Sequence, residues 1–564
     1  MKSYSKQHGF TIVELLVVIV VIGILATLSI VAYVGINQKA VIASLQSDLD
    51  NGAKQVKLYQ AQDGNGDYPT NNQCPTPAAG NICLKASGSN TLTYSASNGT
   101  NPKTFTIDAV DGNATVTYRI ANDFAPVDLV ASTPTLADPT SATITSSGAI
   151  LGANVTSSGG LPITASGICW GLTANPTTNC TPVSLGNLMA LSTPTIATGT
   201  SPFAIVISPD GTSAYVPNNM DNTISMYSRD PSTGILAPLS TPTIATASRP
   251  HSIAISADGA SVYCTNYSSN SISMYSRDPS TGLLAPLVPA TVVTGNSPWT
   301  VTVSASGTSA YASNLVGVTI SIYNRDPVSG ILTARVPATV AAGGTWPKMV
   351  VVSSDGTSAY GLNTFSANIT MFTRNTGTGV LTALGSPSTI ATGTNPQDIA
   401  MSPDGASVYV ANSNVNTVSM YSRDPSTGRL TALSPATVST WVCPDGVTVS
   451  PDGKSVYVAN NDSNSVTMYS RNTSTGMLTV LSPANINAST DPLDVAVSDD
   501  GKSVYVINNY VNNISMYSRR TTLDGIFTQS RAGMTANTLI YYRGYAFNGI
   551  ATGYSADGTF TTLP

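Results

Sequence analysis

A single turn recurs seven times between residues 208 and 501 of this 564-residue chain, and its period restricts the possible folds more than any other feature. The turn, Ser-x-Asp-Gly or a close variant, places Gly at 211, 259, 307, 356, 405, 453 and 501. Successive spacings are 48, 48, 49, 49, 48 and 48 residues. Tyr follows four residues later (Tyr215, Tyr263, Tyr311, Tyr360, Tyr409, Tyr457, Tyr505), and Asn three residues after that (Asn218, Asn266, Asn314, Asn363, Asn412, Asn460, Asn508). A strand-like segment then ends in Arg229, Arg277, Arg325, Arg374, Arg423, Arg471 or Arg519. Each unit offers four short β segments, which in the first are Phe203–Ser208, Ser213–Pro217, Thr223–Arg229 and Ile235–Ala245. A period of ~40–50 residues with four strands per unit is that of a β-propeller blade, which buries its two faces only by stacking on its neighbours. Seven units predict seven blades over residues 187–520. Ring closure is also predicted. Leu188–Thr198 repeats the fourth segment of the first unit, Leu236–Thr246, while the seventh unit stops at Arg519. The early segment should therefore supply the outer strand of blade seven and cover an open edge.

The tetrapeptides Tyr-Val-Pro-Asn (Tyr215–Asn218), Tyr-Cys-Thr-Asn (Tyr263–Asn266) and Tyr-Val-Ala-Asn (Tyr409–Asn412) resemble the YVTN-type, lactonase-like seven-bladed propellers. The resemblance covers about residues 185–520 and raises the question of an enzyme, since such propellers include lactone hydrolases. Hydrolysis needs a base and usually an acid or a metal. The propeller has no Glu and one His, His251. Most of its Asp residues belong to repeated turns, and the repeated Arg is expected to pair with a carboxylate or carbonyl inside its own blade. A residue repeated in every blade reads as scaffold. The sequence therefore predicts no catalytic residue, no cofactor and no enzyme, with a surface lactonase-like hydrolase as an alternative. A site must break the repeat, and one position does. The residue after the Pro that opens each first strand is Phe203, His251, Trp299, Lys348, Gln397, Asp445 or Leu493. First strands line the channel of a propeller, so these seven should ring one mouth as a ligand-binding rim suited to sugars or peptides. His251 and Asp445 fall on distant blades.

Composition narrows the class further. Lys+Arg is 24 and Asp+Glu is 29, so 9% of residues are charged, against ~25% in an average soluble protein. A net charge of −5 excludes nucleic acid as a partner on bulk electrostatics. A hydrophobic content of 41% excludes a polytopic membrane protein. The sole glutamate, Glu14, sits at the edge of the most apolar run. Leu15–Gln38 carries no charge and is long enough to span a ~30 Å hydrocarbon core. Lys2, Lys6 and His8 precede it, which keeps the short N-terminal end cytoplasmic. A carboxylate there needs a partner. Cleavage after Gly9 would create an amine at Phe10, four residues before Glu14 and one helical turn away.

This segment resembles the type IV pilins and pseudopilins. The resemblance implies a leader over 1–9, cleavage between Gly9 and Phe10, N-methylation of Phe10, and assembly through Glu14. It also implies a prepilin peptidase, assembly machinery and other pilin subunits as partners. The chain would begin as a single-pass protein of the cytoplasmic membrane and end in an extracellular filament. The pilin-like domain is predicted over 10–125, with a helix over about 10–62 whose apolar face carries Val41, Leu45, Leu49, Val56 and Tyr59. A small antiparallel sheet follows over about 91–122, then a linker over 126–138. Asp63, Asn65 and Asp67 alternate oxygens as the start of a calcium loop does, but the later Glu is missing and the segment reads as an Asx-rich turn.

Residues 139–186 carry Gly167, Cys169 and Trp170. Residues 521–564 carry Tyr541, Tyr542, Arg543, Tyr545 and Ala546. Together they resemble two halves of one fibronectin type III-like module, with the propeller inserted in a loop. Insertion is cheap where the ends of the insert are adjacent. Cys74 with Cys83, and Cys169 with Cys180, are spaced for local disulfides in an exported protein; Cys264 and Cys443 should be unpaired. The fold class is thus multidomain and mainly β. The functional expectation is a minor or tip filament subunit whose head recognises a cell-surface glycan or protein. The alternative among structural roles is a major subunit of a propeller-decorated filament.

Overall fold

The computed structural model describes residues 43–63, 66–72, 80–98, 104–110, 117–121, 127–128, 133–158, 163–548 and 551–564. The chain divides into two compact units, one of residues up to Pro182 together with Asp524–Pro564, the other Val183–Leu523. Gly9, Phe10, Glu14, the apolar run Leu15–Gln38, Val41, Asn65 and Cys74 lie outside the described residues. Among the described residues no helix is long and apolar enough to cross a membrane.

Val183–Leu523 forms seven antiparallel sheets, six of four strands and one whose outer strand is split in two; the first six are meanders in strand order and the seventh takes its outer strand from the start of the unit. The first comprises Val206–Ile207, Ser213–Asn218, Thr223–Arg229 and Leu236–Ala245. Burial falls from the middle of each sheet to its rim. All six residues of the second strand are buried, whereas the fourth strand is mostly exposed. The apolar core lies between blades, not within them. Tyr215, Ile224 and Met226 of blade one pack with Ile253, Val262 and Tyr275 of blade two. The seventh sheet closes with Leu188–Ala197 as its outer strand, pairing Arg519 with Leu188 and Asn513 with Ala197. Blade four carries an extra residue, and its outer strand is interrupted at Gly385, giving Leu381–Ala383 and Thr389–Ala391.

The repeated polar residues tie one blade to the next. Arg277 Nη2 meets Asp210 at 2.7 Å, and its Nε donates to the Tyr215 hydroxyl at 3.0 Å; both partners belong to the preceding blade. Its Nη1 donates to the Gly259 carbonyl in its own blade. The expected carbonyl contact is therefore internal to the blade, but the carboxylate comes from the neighbour. The reason is geometric: the Arg closes the third strand, beside the turn of the adjoining sheet. Partial burial works against ionisation of Asp210, but hydrogen bonds from Ser208, Thr212 and Arg277 outweigh it and hold the carboxyl far below its ordinary range. The repeated Asn is buried as well. Asn218 donates to Thr223 and Ser225, stitching the second strand to the third.

In the other unit, residues 43–62 are helical. Leu45, Leu49 and Val56 are fully buried against Phe105 and Ile107 of an antiparallel sheet, while Tyr59 is half-buried. That sheet comprises Thr91–Ser97, Thr104–Val110, Thr117–Ala121 and Val127–Asp128. Two further sheets each mix residues from both sides of the propeller in sequence. Gly525–Ala532 pairs with Gly148–Ser157, and Leu539–Phe547 pairs with Ala165–Gly171. They face each other at Gly544, where a Cβ would collide with that of Ala153. Cys169 and Cys180 stand opposite each other on paired strands and form a disulfide. The segment 126–138 expected as linker is corrected. Val127–Asp128 adds to the small sheet and the strand Thr135–Ala142 begins within the predicted linker, its pairing shifted between Ala137 and Thr140, around Pro139. The small sheet thus runs past residue 125. Asp63 accepts the backbone N–H of Asp67 at 2.9 Å, a local turn contact.

Candidate functional site: the mouth of the propeller channel

Each first strand enters the channel by the same backbone device. The residue before its Pro lies in the left-handed region: Ser201, Arg249, Ser297, Trp346, Asn395, Cys443 and Asp491 have φ between 55° and 65°. The carbonyl of that residue accepts an N–H from the turn after the second strand, as in Asn219 to Ser201 at 2.9 Å and Thr364 to Trp346 at 3.0 Å. Holding a non-glycine residue at positive φ is costly. Seven repetitions fix the direction in which the residue after the Pro projects.

Those residues meet around one cavity of about 260 Å³, lined by Phe203, His251, Trp299, Lys348, Gln397, Asp445 and Leu493. Its wall is divided. On blades one to three His251 is packed between Phe203 and Trp299, with ring centroids 4.3 and 3.8 Å away and the rings tilted by 39° and 44°. Burial, helped by the charge of Lys348, lowers the His251 pKa to about 3, so the ring is neutral at physiological pH. Its Nε2 is buried without a hydrogen-bond partner. On blades four to six the wall is polar. Lys348 lies 5.2 Å from the centre of the Trp299 ring, 3.8 Å from Asp445, and donates to Gln397. The structure does not bring Asp445 to His251; its partner is Lys348.

Two further carboxylates, which sequence reasoning did not single out, line the same cavity one residue farther along the first strands. Asp398 accepts the N–H groups of Ile399 and Val447, at 2.7 and 2.9 Å. Asp494 accepts those of Val495 and Ile205, at 2.8 and 2.9 Å. Each clasps the first strand of the next blade. Burial, reinforced by the charge of Asp494, pushes Asp398 up to about 7; burial likewise pushes Asp494 up to about 6. Burial also raises Asp445, with Lys348 opposing it. A signal for these residues was present. Their register reads Ala204, Ser252, Thr300, Met349, Asp398, Gly446 and Asp494, which varies from blade to blade almost as the rim does, with only Asp repeated.

The turns around the mouth carry exposed apolar residues. Met220, Val316, Phe365, Val415 and Tyr510 sit between second and third strands, with Trp346 and Trp441 before first strands. Phe365 and Tyr510 are each 77% exposed. At the opposite end the Asp-Pro-Ser-Thr-Gly turns are polar, as at Asp230–Gly234. Cys264 is a buried free thiol and Cys443, at the mouth, a half-buried one. Among the described residues no group of three or more His, Cys, Asp or Glu side chains is arranged to hold a metal ion.

A family model described as lactonase, seven-bladed β-propeller, matches residues 184–300, 286–393, 388–444 and 435–534, together more than half of the chain. The chain belongs to the seven-bladed β-propeller lactonase family. This family member also carries a prokaryotic N-terminal methylation motif over residues 4–30. It is similar to the type II secretion system core protein G of Escherichia coli (strain K12), 38% identical over 73 residues. That match covers 13% of this chain and 49% of the relative, so the chain spans about half the length of the curated relative it matches. Among solved structures, the propeller is similar to the periplasmic gluconolactonase of Pseudomonas aeruginosa. The identity is 20% and the TM-score 0.45, covering 64% of this chain and 98% of that one. It is also similar to hydrazine synthase of Kuenenia stuttgartiensis, at 20% identity and TM-score 0.45, covering 57% and 96%. The chain is thus a pilin-type N-terminus joined to a lactonase-type propeller.

Proposed function

We propose that this lactonase-family chain is a type IV pilin-like filament subunit, minor or at the tip, whose propeller recognises a surface glycan or protein at the channel mouth. The observation that carries the reading is the break in the repeat. The backbone that opens the first strand is the same in every blade, yet the rim presents a different residue in each, inside a collar of exposed aromatic and aliphatic side chains. An aromatic wall facing hydrogen-bonding groups suits a sugar ring or a peptide side chain. The apolar collar is the kind of surface that a larger partner covers. The pilin-type N-terminus supports export and assembly, with Phe10 as the methylated amine and Glu14 as its counter-charge. The two mixed sheets serve as a fibronectin type III-like holder whose loop admits the propeller. Binding of filaments to glycan and cell-surface arrays tests the role; filaments carrying Trp299→Ala should lose the signal, and equal binding by both would end the reading. Glu14→Val should block assembly while leaving export intact, as measured by fractionation. Immunogold against the propeller separates a tip or sparse subunit from a major one.

A second reading rests on one observation, the three carboxylates with raised pKa in the channel of a lactonase-family propeller. Turnover of simple lactones by the full chain, abolished by Asp445→Asn, would support a surface hydrolase; no turnover would leave recognition as the function.

A further inference from the structure

The links between blades form a series with one exception. Arg229–Asp500, Arg277–Asp210, Arg325–Asp258, Arg423–Asp355, Arg471–Asp404 and Arg519–Asp452 are ion pairs of 2.7–2.9 Å. At the seventh interface, between blades three and four, Ser306 stands where the other turns have Asp. Its Oγ lies 3.1 Å from Ser304 Oγ and 2.9 Å from Thr308 Oγ1. It thus takes the place of the Asp oxygen that elsewhere meets the same two positions, as Asp210 Oδ1 meets Ser208 and Thr212. Serine has no atom for the second oxygen, the one that lies nearer the guanidinium, as Asp210 Oδ2 does at 2.7 Å against 3.0 Å for Oδ1.

Arg374 remains at the interface, buried to 5% exposure. Its Nε donates to Tyr311, its Nη1 to the Gly356 carbonyl and its Nη2 to Ser309 at 3.2 Å. It has no carboxylate partner among the described residues. In blade five the equivalent Nη2 of Arg423 reaches both oxygens of Asp355 as well as Thr357 and Ser358. A guanidinium cannot shed its proton, and a buried charge without a counter-charge is unfavourable. The corresponding Asp side chains are 28–42% exposed, so a ligand reaches this place from solvent without parting the blades. Arg374 Nη2 and the hydroxyls of Ser306, Thr308 and Ser309 are donors of the kind a carboxylate accepts.

We infer that the interface of blades three and four binds a single carboxylate at Arg374, supplied by a small free acid or displayed on another molecule. The test is calorimetric titration of the full chain in chloride-free buffer with sodium formate and, separately, with N-acetyl-aspartyl amide. N-acetyl-asparaginyl amide serves as the uncharged control. Formate is expected to bind at one site. S306D, which supplies the missing carboxylate within the chain, should weaken formate binding at least ~tenfold and raise the thermal midpoint, the latter showing that the variant is folded. Binding of formate alone assigns the site to small free acids. Binding of the aspartyl compound as well, without the asparaginyl one, assigns it to a displayed carboxylate. Failure of wild type to bind formate or the aspartyl compound, or undiminished formate binding by S306D, overturns the inference.

Discussion

The interfaces between blades and the mouth of the channel are built from the same strands, and they treat side-chain identity in opposite ways. At the interfaces, Arg, Tyr and a turn Asp recur, because each closes a hydrogen bond that the stacking of two sheets would otherwise leave buried and unmade. At the mouth, the Pro and the left-handed residue before it recur while the side chain that follows never does. Repetition marks where packing dictates a residue, and variation on a fixed backbone marks where the residue is free to serve a ligand.

The largest effect that could break this contrast is at an interface. Arg423→Ala removes a buried guanidinium that links Tyr360, Asp355 and the Gly405 carbonyl. It should cost ~2–4 kcal/mol in chemical denaturation, discounted for the partly exposed Asp355; a loss near zero would mean that the repeated network is ornamental. Next comes the mouth. Trp299→Ala should lower ligand affinity at least ~tenfold, ~1.4 kcal/mol, by surface plasmon resonance, with a smaller change in unfolding midpoint. If folding suffers more than binding, the rim is scaffold too.

A third expectation concerns pH. The folded-state pKa values of Asp398 and Asp494, about 7 and about 6, lie above the ordinary carboxylate value of 3.8. The folded protein therefore holds protons that the unfolded chain has released, and stability falls as pH rises from about 4 through about 7. The turn carboxylates act with the opposite sign. Asp210 is held below its ordinary value, so its contribution is present above 3.8 and is lost on acidification. Asp398→Asn should flatten the decline between pH 4 and 7 in denaturation curves, and an unchanged slope would place the titration elsewhere. The smallest effect is expected from replacing residues 183–523 by a short Gly-Ser linker. The remaining sheets of 135–182 and 525–561 should still unfold cooperatively by circular dichroism, and an unfolded product would break the idea of an independent holder.

The period of the turn makes the blade count, the closing strand and the seven rim positions legible in the letters alone. Each depends on residues close in sequence or on a copy of the same pattern. What escaped was relational. Arg277 looks self-sufficient within its unit, yet its carboxylate lies in the preceding one, because partner choice follows from the packing of sheets. Asp398 and Asp494 stand in a register that varies from blade to blade, but nothing in the letters says that an Asp there is buried and held by the next blade's N–H groups. The strand beginning at Thr135 was hidden by the prolines around it, and a shift in pairing accommodates Pro139.

Backbone preference, strand alternation and repeat length are short-range properties, so the letters alone carried the propeller, its closure and the pilin-type start. Charge state and company are long-range properties. Whether His251 is neutral, whether Asp398 holds a proton near pH 7, and which guanidinium lacks a carboxylate follow from burial and from neighbours up to six blades away in the chain. Those were decided when the ring closed, because only then does each group acquire its surroundings and lose its water.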